Sequence, residues 1–150
     1  MLDFTTKVGG RAAERLRDEH VIWLISVSSA KVPVPNPLWF VWENDAFLCY
    51  TQPKALRLKH FTQHPQVSLH FNADAEGNDV IVFYGDVALD PGAPPAHMHA
   101  GYLAKYKEGI RELGMMPEMY GKLYSVAFRV TPRSLRGSNI GSIDEIHDNY

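Results

Sequence analysis

Two stretches of this chain hold residues whose types and spacing suit a bound ligand. The first runs Pro33-Val34-Pro35-Asn36-Pro37-Leu38-Trp39-Phe40-Val41-Trp42. Read as a strand, it carries three prolines two residues apart, so three missing N–H groups fall on one lateral edge. The donors of Val34, Asn36 and Leu38 point the other way and remain able to pair with a neighbour. Such a strand belongs at the edge of a sheet, either protected against aggregation or left open for a planar ligand. Trp39, Phe40 and Trp42 fit a core as well as a ring contact. The second stretch is the junction Tyr50-Thr51-Gln52-Pro53-Lys54-Ala55-Leu56-Arg57-Leu58-Lys59, a strand running into a helix. A helix start offers unpaired N–H donors and positive potential, which suits an anion. Thr51 and Gln52 add side-chain donors, Lys54 and Arg57 add charge from one helix face, and Lys59 lies on another. The same three basic residues equally describe a solvated helix face.

Other reactive residue types point to less. His60 and His64 stand four apart, but Phe61 occupies the place of a zinc protease's glutamate and no third ligand follows, so no metal is expected. The single cysteine, Cys49, sits in the apolar run Ala46-Phe47-Leu48-Cys49-Tyr50 and reads as a buried, inert thiol. Nothing resembles the signatures of serine hydrolases, P-loop nucleoside triphosphatases or dinucleotide-binding folds. No side chain stands out as a catalytic acid or base.

The elements that must position these residues follow from periodicity. Residues 10–19 read as an amphipathic helix, with Arg11, Glu14, Arg15, Arg17 and Asp18 turned to solvent. Strands are expected at 20–29, 32–43 and 46–51, joined as an antiparallel meander, with Asn44-Asp45 as a tight reversal. A helix follows at 53–63, with Pro53 in its first turn. Strands come next at 67–71 and 80–89, the second interrupted by Gly85 as a bulge or a close backbone approach. Helical segments at 97–113 and 117–120 precede a last strand at 123–131. Six strands with short helices between them make a mostly antiparallel barrel in one domain over 1–137. Residues 138–150 form an acidic tail, either solvated or docked through Ile140, Ile143 and Ile146.

Composition agrees. With 150 residues, 45% hydrophobic and 21% charged, the chain supports one ordinary core. A net charge of −2 gives no footprint for nucleic acid or an anionic membrane. No stretch has the length of a membrane span and the N-terminal segment lacks a signal-peptide core, so the cytoplasm is the expected compartment.

The order of several motifs now carries a resemblance. Val21-Ile22-Trp23-Leu24, Pro35-Asn36-Pro37-Leu38-Trp39-Phe40, Tyr50-Thr51-Gln52-Pro53 and Arg57-Leu58-Lys59-His60 come in sequence. They are followed by His64-Pro65-Gln66-Val67-Ser68-Leu69-His70-Phe71, Gly85-Asp86-Val87 and Asp90-Pro91. Together, over residues 10–137, they resemble the pyridoxamine 5′-phosphate oxidase-like superfamily, in particular its short deazaflavin (coenzyme F-420)-dependent reductases. The resemblance implies an FMN-binding type of split β-barrel that forms a homodimer, with two cofactor sites at the dimer interface. It implies that Asn36, Pro37, Leu38 and Trp39 lie along the ring, and that Tyr50, Thr51, Gln52 and Arg57 meet the chain and phosphate. Lys54 and Lys59 are further candidates. Ala55 stands where some relatives are basic, and Lys54 is the candidate substitute. The implied activity is F-420-dependent hydride transfer to a small organic substrate. The alternatives are an FMN-binding reductase or oxidase and a non-catalytic flavin or haem-type ligand carrier. Oxidation of vitamin B6 is not expected, because Pro132-Arg133-Ser134-Leu135-Arg136-Gly137 lacks the C-terminal basic and histidine pattern of those oxidases. Tyr102, Tyr106 and Tyr120 are candidates to line the exposed face of the ring.

Overall fold

Why the expected six strands become seven is decided at Phe40. The structure, a computed structural model, describes residues 1–138, so the expected tail lies outside the described residues except for Ser138. Strands β1 (Val21–Val27), β2 (Pro33–Trp39), β3 (Val41–Glu43), β4 (Ala46–Thr51), β5 (Gln66–His70), β6 (Val80–Leu89) and β7 (Val126–Ser138) form one antiparallel sheet. Its order is β2-β1-β5-β6-β7-β4-β3. Strands β2 and β3 are separated by one residue in the chain yet lie at opposite ends of the sheet. The sheet therefore curls, and Phe40 is where the chain passes from one end to the other. The expected meander is corrected accordingly: β1 pairs with β2 and β3 with β4, but the two hairpins are linked by ladder hydrogen bonds only through the rest of the sheet.

A single side chain holds that crossing. The Tyr106 hydroxyl accepts from the Phe40 N–H at 2.8 Å and lies 2.7 Å from the His20 carbonyl, to which it donates. It thus fills the place where the next β1–β2 ladder bonds would form. Lys105 donates to the Phe40 carbonyl at 3.0 Å, its ammonium 3.7 Å from the centre of the Phe40 ring.

The edge position of β2 follows from its prolines. Ser28 donates to the Val32 carbonyl, which sets the alternation along the hairpin. Val34, Asn36 and Leu38 then face β1 across Ser26, Leu24 and Ile22, while the three prolines turn their nitrogens outward. The Asn44-Asp45 reversal has positive φ at both residues, 52° and 55°, as a two-residue hairpin requires.

Among the described residues four α-helices flank the sheet: α1 (Lys7–Asp18), α2 (Leu56–Gln63), α3 (Ala100–Glu112) and α4 (Pro117–Leu123). Helix α1 starts three residues before the expected position because the Thr6 side chain caps it, accepting from the Gly9 N–H. Arg15, expected in solvent, is buried instead. It bonds the carbonyls of Asp79 and Asn72 at 2.8 and 2.7 Å and pairs with Glu19. Inside the curl, Phe40, Phe47, Phe83 and Phe128 pack with Ile22, Leu24, Leu69 and Ile81. A second core lies between the outer side of β4 and the helices, where Leu48 and Tyr50 meet Tyr102, Tyr106, Ile110 and Tyr120. All six residues of β4 are buried for this reason.

Strand β7 runs past Pro132, which was expected to end it. Beyond Val130 it is paired on the β6 side only, so the missing proline donor breaks no second ladder. Opposite it the register slips between Tyr84 and Gly85, the expected bulge. A Cβ on Gly85 would stand 2.5 Å from the Thr131 carbonyl oxygen and 2.9 Å from the Pro132 Cα. Because both obstacles are backbone, Gly85→Ala should lose about 1–3 kcal/mol of stability. A lower denaturation midpoint at unchanged slope would show it, and an unchanged midpoint would mean that the strands part freely at the bulge.

Candidate functional site

The gap in the curl becomes a pocket. Its walls are the last residues of β2 (Pro37, Leu38, Trp39), the last of β4 (Tyr50, Thr51), Arg57, and Leu113, Tyr120 and Tyr124 from the α3–α4 region, around about 250 Å³. Six of the ten residues expected at a cofactor site converge here. Asn36, Gln52, Lys54 and Lys59 do not line the pocket, and the last three are exposed.

Their separation has a local cause. Helix α2 begins at Leu56 with Ala55 as its cap, so Pro53-Lys54 belongs to the preceding turn and not to the first helical turn. Lys54 and Arg57 therefore do not rise from one helix face. Arg57 is instead the second helical residue, close to the free N–H groups of the helix start.

Arg57 is the distinctive charge of the site. Among the described residues it has no ion-pair or hydrogen-bond partner, although seven other arginines have one. Burial pushes its guanidinium below the ordinary value, yet arginine stays a cation at any physiological pH. A half-buried cation without a counterion is costly unless an anion arrives.

The remaining walls are largely aromatic. Trp39 stacks on Tyr106 at 4.7 Å and on Tyr120 at 5.7 Å, and Tyr120 stacks on Tyr124 at 4.5 Å. Tyr50 donates to the Pro94 carbonyl at 2.6 Å, and burial pushes its phenol up to about 12. Tyr120 is likewise pushed up to about 12 by burial. Of the three tyrosines expected over a ring, only Tyr120 lines the pocket. Tyr102 and Tyr106 are completely buried, the first bonded to the Tyr120 hydroxyl at 2.8 Å and the second to the Phe40 crossing. Cys49 is buried and its thiol is pushed up to about 12 by burial, which makes it unreactive.

Leu113 and Tyr124 join the pocket without any signal in sequence, since both are brought there by the turn between α3 and α4 and by the end of α4. A second polar cluster was also unannounced. His99 accepts the Tyr102 N–H at Nδ1, so its Nε2 carries the proton and donates to Glu43 at 2.8 Å. Arg129 bonds Asp90 at 2.5 Å and approaches Glu43 at 3.6 Å. This network ties the start of α3 to β3 and β7. Among the described residues, no three His, Cys, Asp or Glu side chains converge as metal ligands. His60 bonds the Ser26 hydroxyl and His70 stacks on Trp23. No described helix is long and apolar enough to cross a membrane.

No family profile matches the chain, and no curated protein matches its sequence. Solved structures do match. An F420 reductase superposes with a TM-score of 0.61 at 18% identity, covering 81% of this chain and 93% of that one. A putative pyridoxamine 5′-phosphate oxidase from Listeria innocua gives 0.60 at 15% identity, over 85% and 94%. HutZ, a heme storage protein from Vibrio cholerae, gives 0.61 at 14% identity, over 91% and 100%. At such identities the likeness is one of fold. The chain shares the fold of these three proteins, here a curled antiparallel sheet flanked by short helices.

Proposed function

We propose that this chain is a cytoplasmic, homodimeric oxidoreductase that holds a phosphorylated flavin-type ring in the pocket at the barrel split. Coenzyme F-420 is the first choice and FMN the second. The observation that carries this reading is Arg57, a half-buried cation without a partner among the described residues, facing a pocket walled by Trp39, Tyr120 and Tyr124. A ring with an anionic tail meets both demands: stacking surface for the ring and a counterion for the guanidinium. The names of an F420 reductase and a pyridoxamine 5′-phosphate oxidase among the structural neighbours support it.

In this reading Arg57, Thr51 and the N–H groups that open α2 hold the phosphate. The edge Pro37–Leu38–Trp39 lies along the ring, and the tyrosines exclude water. The bound cofactor supplies two-electron transfer, as hydride for a deazaflavin, to a small organic substrate. The chain contributes orientation and electrostatics, and burial keeps the Tyr50 and Tyr120 phenols protonated at neutral pH. About 250 Å³ is less than the roughly 300–1,000 Å³ of pockets that enclose a whole small-molecule ligand. A second copy completing the pocket accounts for the difference.

A haem carrier is the less favoured reading, because among the described residues no histidine lines this pocket. Parallel titration with FMN and F-420, with mass spectrometry of what co-purifies, tests the proposal. Saturable binding of either supports it. Binding of neither, or of haem alone, would sink it, and tight binding without turnover of any acceptor would leave a carrier.

A further inference from the structure

Trp39 is the largest side chain on the wall of the pocket, and its seat is set by an absence. Helix α3 and its cap carry Tyr102, Tyr106, Gly109 and Leu113 at intervals of four, three and four, which places them on one helical stripe. The Trp39 indole lies along this stripe, stacked on Tyr106 at 4.7 Å with 6° between the rings. A Cβ on Gly109 would stand 2.9 Å from Trp39 Cη2 and 3.0 Å from Cζ2, short of the roughly 3.5–4.0 Å of ordinary carbon contacts. The outer edge of the indole thus rests directly on helix backbone.

Nothing local asks for glycine at this position. The Gly109 carbonyl accepts from the Leu113 N–H at 3.1 Å, as an ordinary helical carbonyl does, and its φ is not positive. Glycine weakens a helix relative to alanine, so the close approach of Trp39 is the explanation that remains. The two tyrosines stacked on the indole are both fixed. Tyr106 is completely buried and held by the Phe40 crossing, and Tyr120, 5.7 Å from the indole, is bonded to Tyr102. An added methyl group would therefore drive the indole toward the cavity of about 250 Å³ that it lines.

We propose that Gly109 is a positioning residue for this pocket: by withholding a side chain it lets Trp39 lie back on α3. The space so kept admits a fused, multi-ring ligand where a bulkier residue would admit a single ring only. This rests on the cofactor reading above and concerns the ring half of the site, whereas Arg57 concerns the anionic half.

The test uses the full chain with FMN or F-420, whichever binds, and with the matching phosphate-free ring compound. Phenyl phosphate, which carries its anion on one small ring, is the third probe. Gly109→Ala should weaken both multi-ring ligands alike, by about tenfold in calorimetric titration. Phenyl phosphate, read by competition with the cofactor, should stay within about twofold of wild type. The near-ultraviolet circular dichroism of the apoprotein should change, because the indole shifts against its tyrosines. Trp39→Phe removes the atoms that the new Cβ would meet, so in that background Gly109→Ala should weaken ring binding by less than about twofold. Equal losses with and without Trp39 would overturn the proposal while leaving the cofactor reading intact. So would loss of phenyl phosphate in step with the rings, which would mean general damage, or a change in stability with ring affinity unchanged, which would leave glycine a packing role alone. A Gly109→Ala chain that does not fold would overturn it too, because the indole would have no room to yield toward the pocket. If the wild type binds neither cofactor, the cofactor reading fails first and takes this proposal with it.

Discussion

Replacing Arg57 by alanine is expected to weaken FMN or F-420 binding while leaving riboflavin binding nearly unchanged. A charge-assisted phosphate contact contributes about 1.5–3 kcal/mol, or roughly tenfold to over a hundredfold in affinity. Riboflavin shares the ring and lacks the phosphate, so it isolates that contact from any general damage to the pocket. A folding defect would weaken both ligands alike. The apoprotein supplies a second discriminator. Arg57 is desolvated and unpaired among the described residues, so removing it should not lower apoprotein stability and should raise it slightly. Lys59→Ala and Lys54→Ala, both at exposed positions outside the pocket, should do much less than Arg57→Ala. If FMN and riboflavin lose affinity together in a well-folded variant, or neither does, the phosphate site lies elsewhere.

That Arg57 separates from Lys54 and Lys59 was not legible in the sequence. Spacing placed Lys54 and Arg57 on one helix face because Pro53 suits a first helical turn. The chain instead spends residues 52–55 on a turn, with the Ala55 N–H donating to the Gln52 carbonyl, and starts the helix later. Proline is equally at home in a turn and in a first helical turn, so composition does not decide between them. The prolines of β2 were more informative. Three missing donors on one side left only an edge position, and β2 is the terminal strand among the described residues. What they did not announce was the break at Phe40. It depends on Tyr106, sixty-six residues away, inserting its hydroxyl between β1 and β2. Local periodicity carries no trace of such a long-range bond. For the same reason Tyr106 was assigned to a ligand and proves to be a structural latch, and Tyr102 is held in the second core. Gly85 was legible because a glycine inside a strand has few explanations, and here both expected ones apply: a register slip and a backbone approach. The resemblance in motif order was legible well beyond any single contact, because it rests on the succession of elements that the fold preserves.

The same alternation that buries Ile22, Leu24 and Ser26 leaves Trp23, Ile25 and Val27 half-buried on the opposite face of β1. Neither core includes them, nor Val82 and Tyr84 on β6, one strand further on beyond β5. Between these strands lies a hollow of about 390 Å³ lined by Ile25, Val27, Pro33, Ser68, Tyr84 and Arg133. The apolar side chains of this face, around the polar Ser68 and Arg133, are what a homodimer would cover, and a standard interface buries about 800 Å² per partner. On β2 the same face carries Pro33, Pro35 and Pro37, and Pro37 also lines the proposed cofactor pocket, so a partner seated here would reach the pocket's edge. Ile25→Lys is therefore expected to raise the dimer dissociation constant by roughly a hundredfold, about 2.7 kcal/mol, because an unpaired ammonium would be buried in apolar surroundings. The folded monomer should tolerate the change, since the ammonium reaches water when no partner is present. Light scattering across a concentration series reads the dissociation, and circular dichroism reports the fold. Cofactor affinity should fall as the dimer is lost if the partner completes the pocket. A wild-type chain that is monomeric at micromolar concentration while binding its cofactor tightly would end the dimer proposal, and a variant that stays dimeric would move the interface to another face.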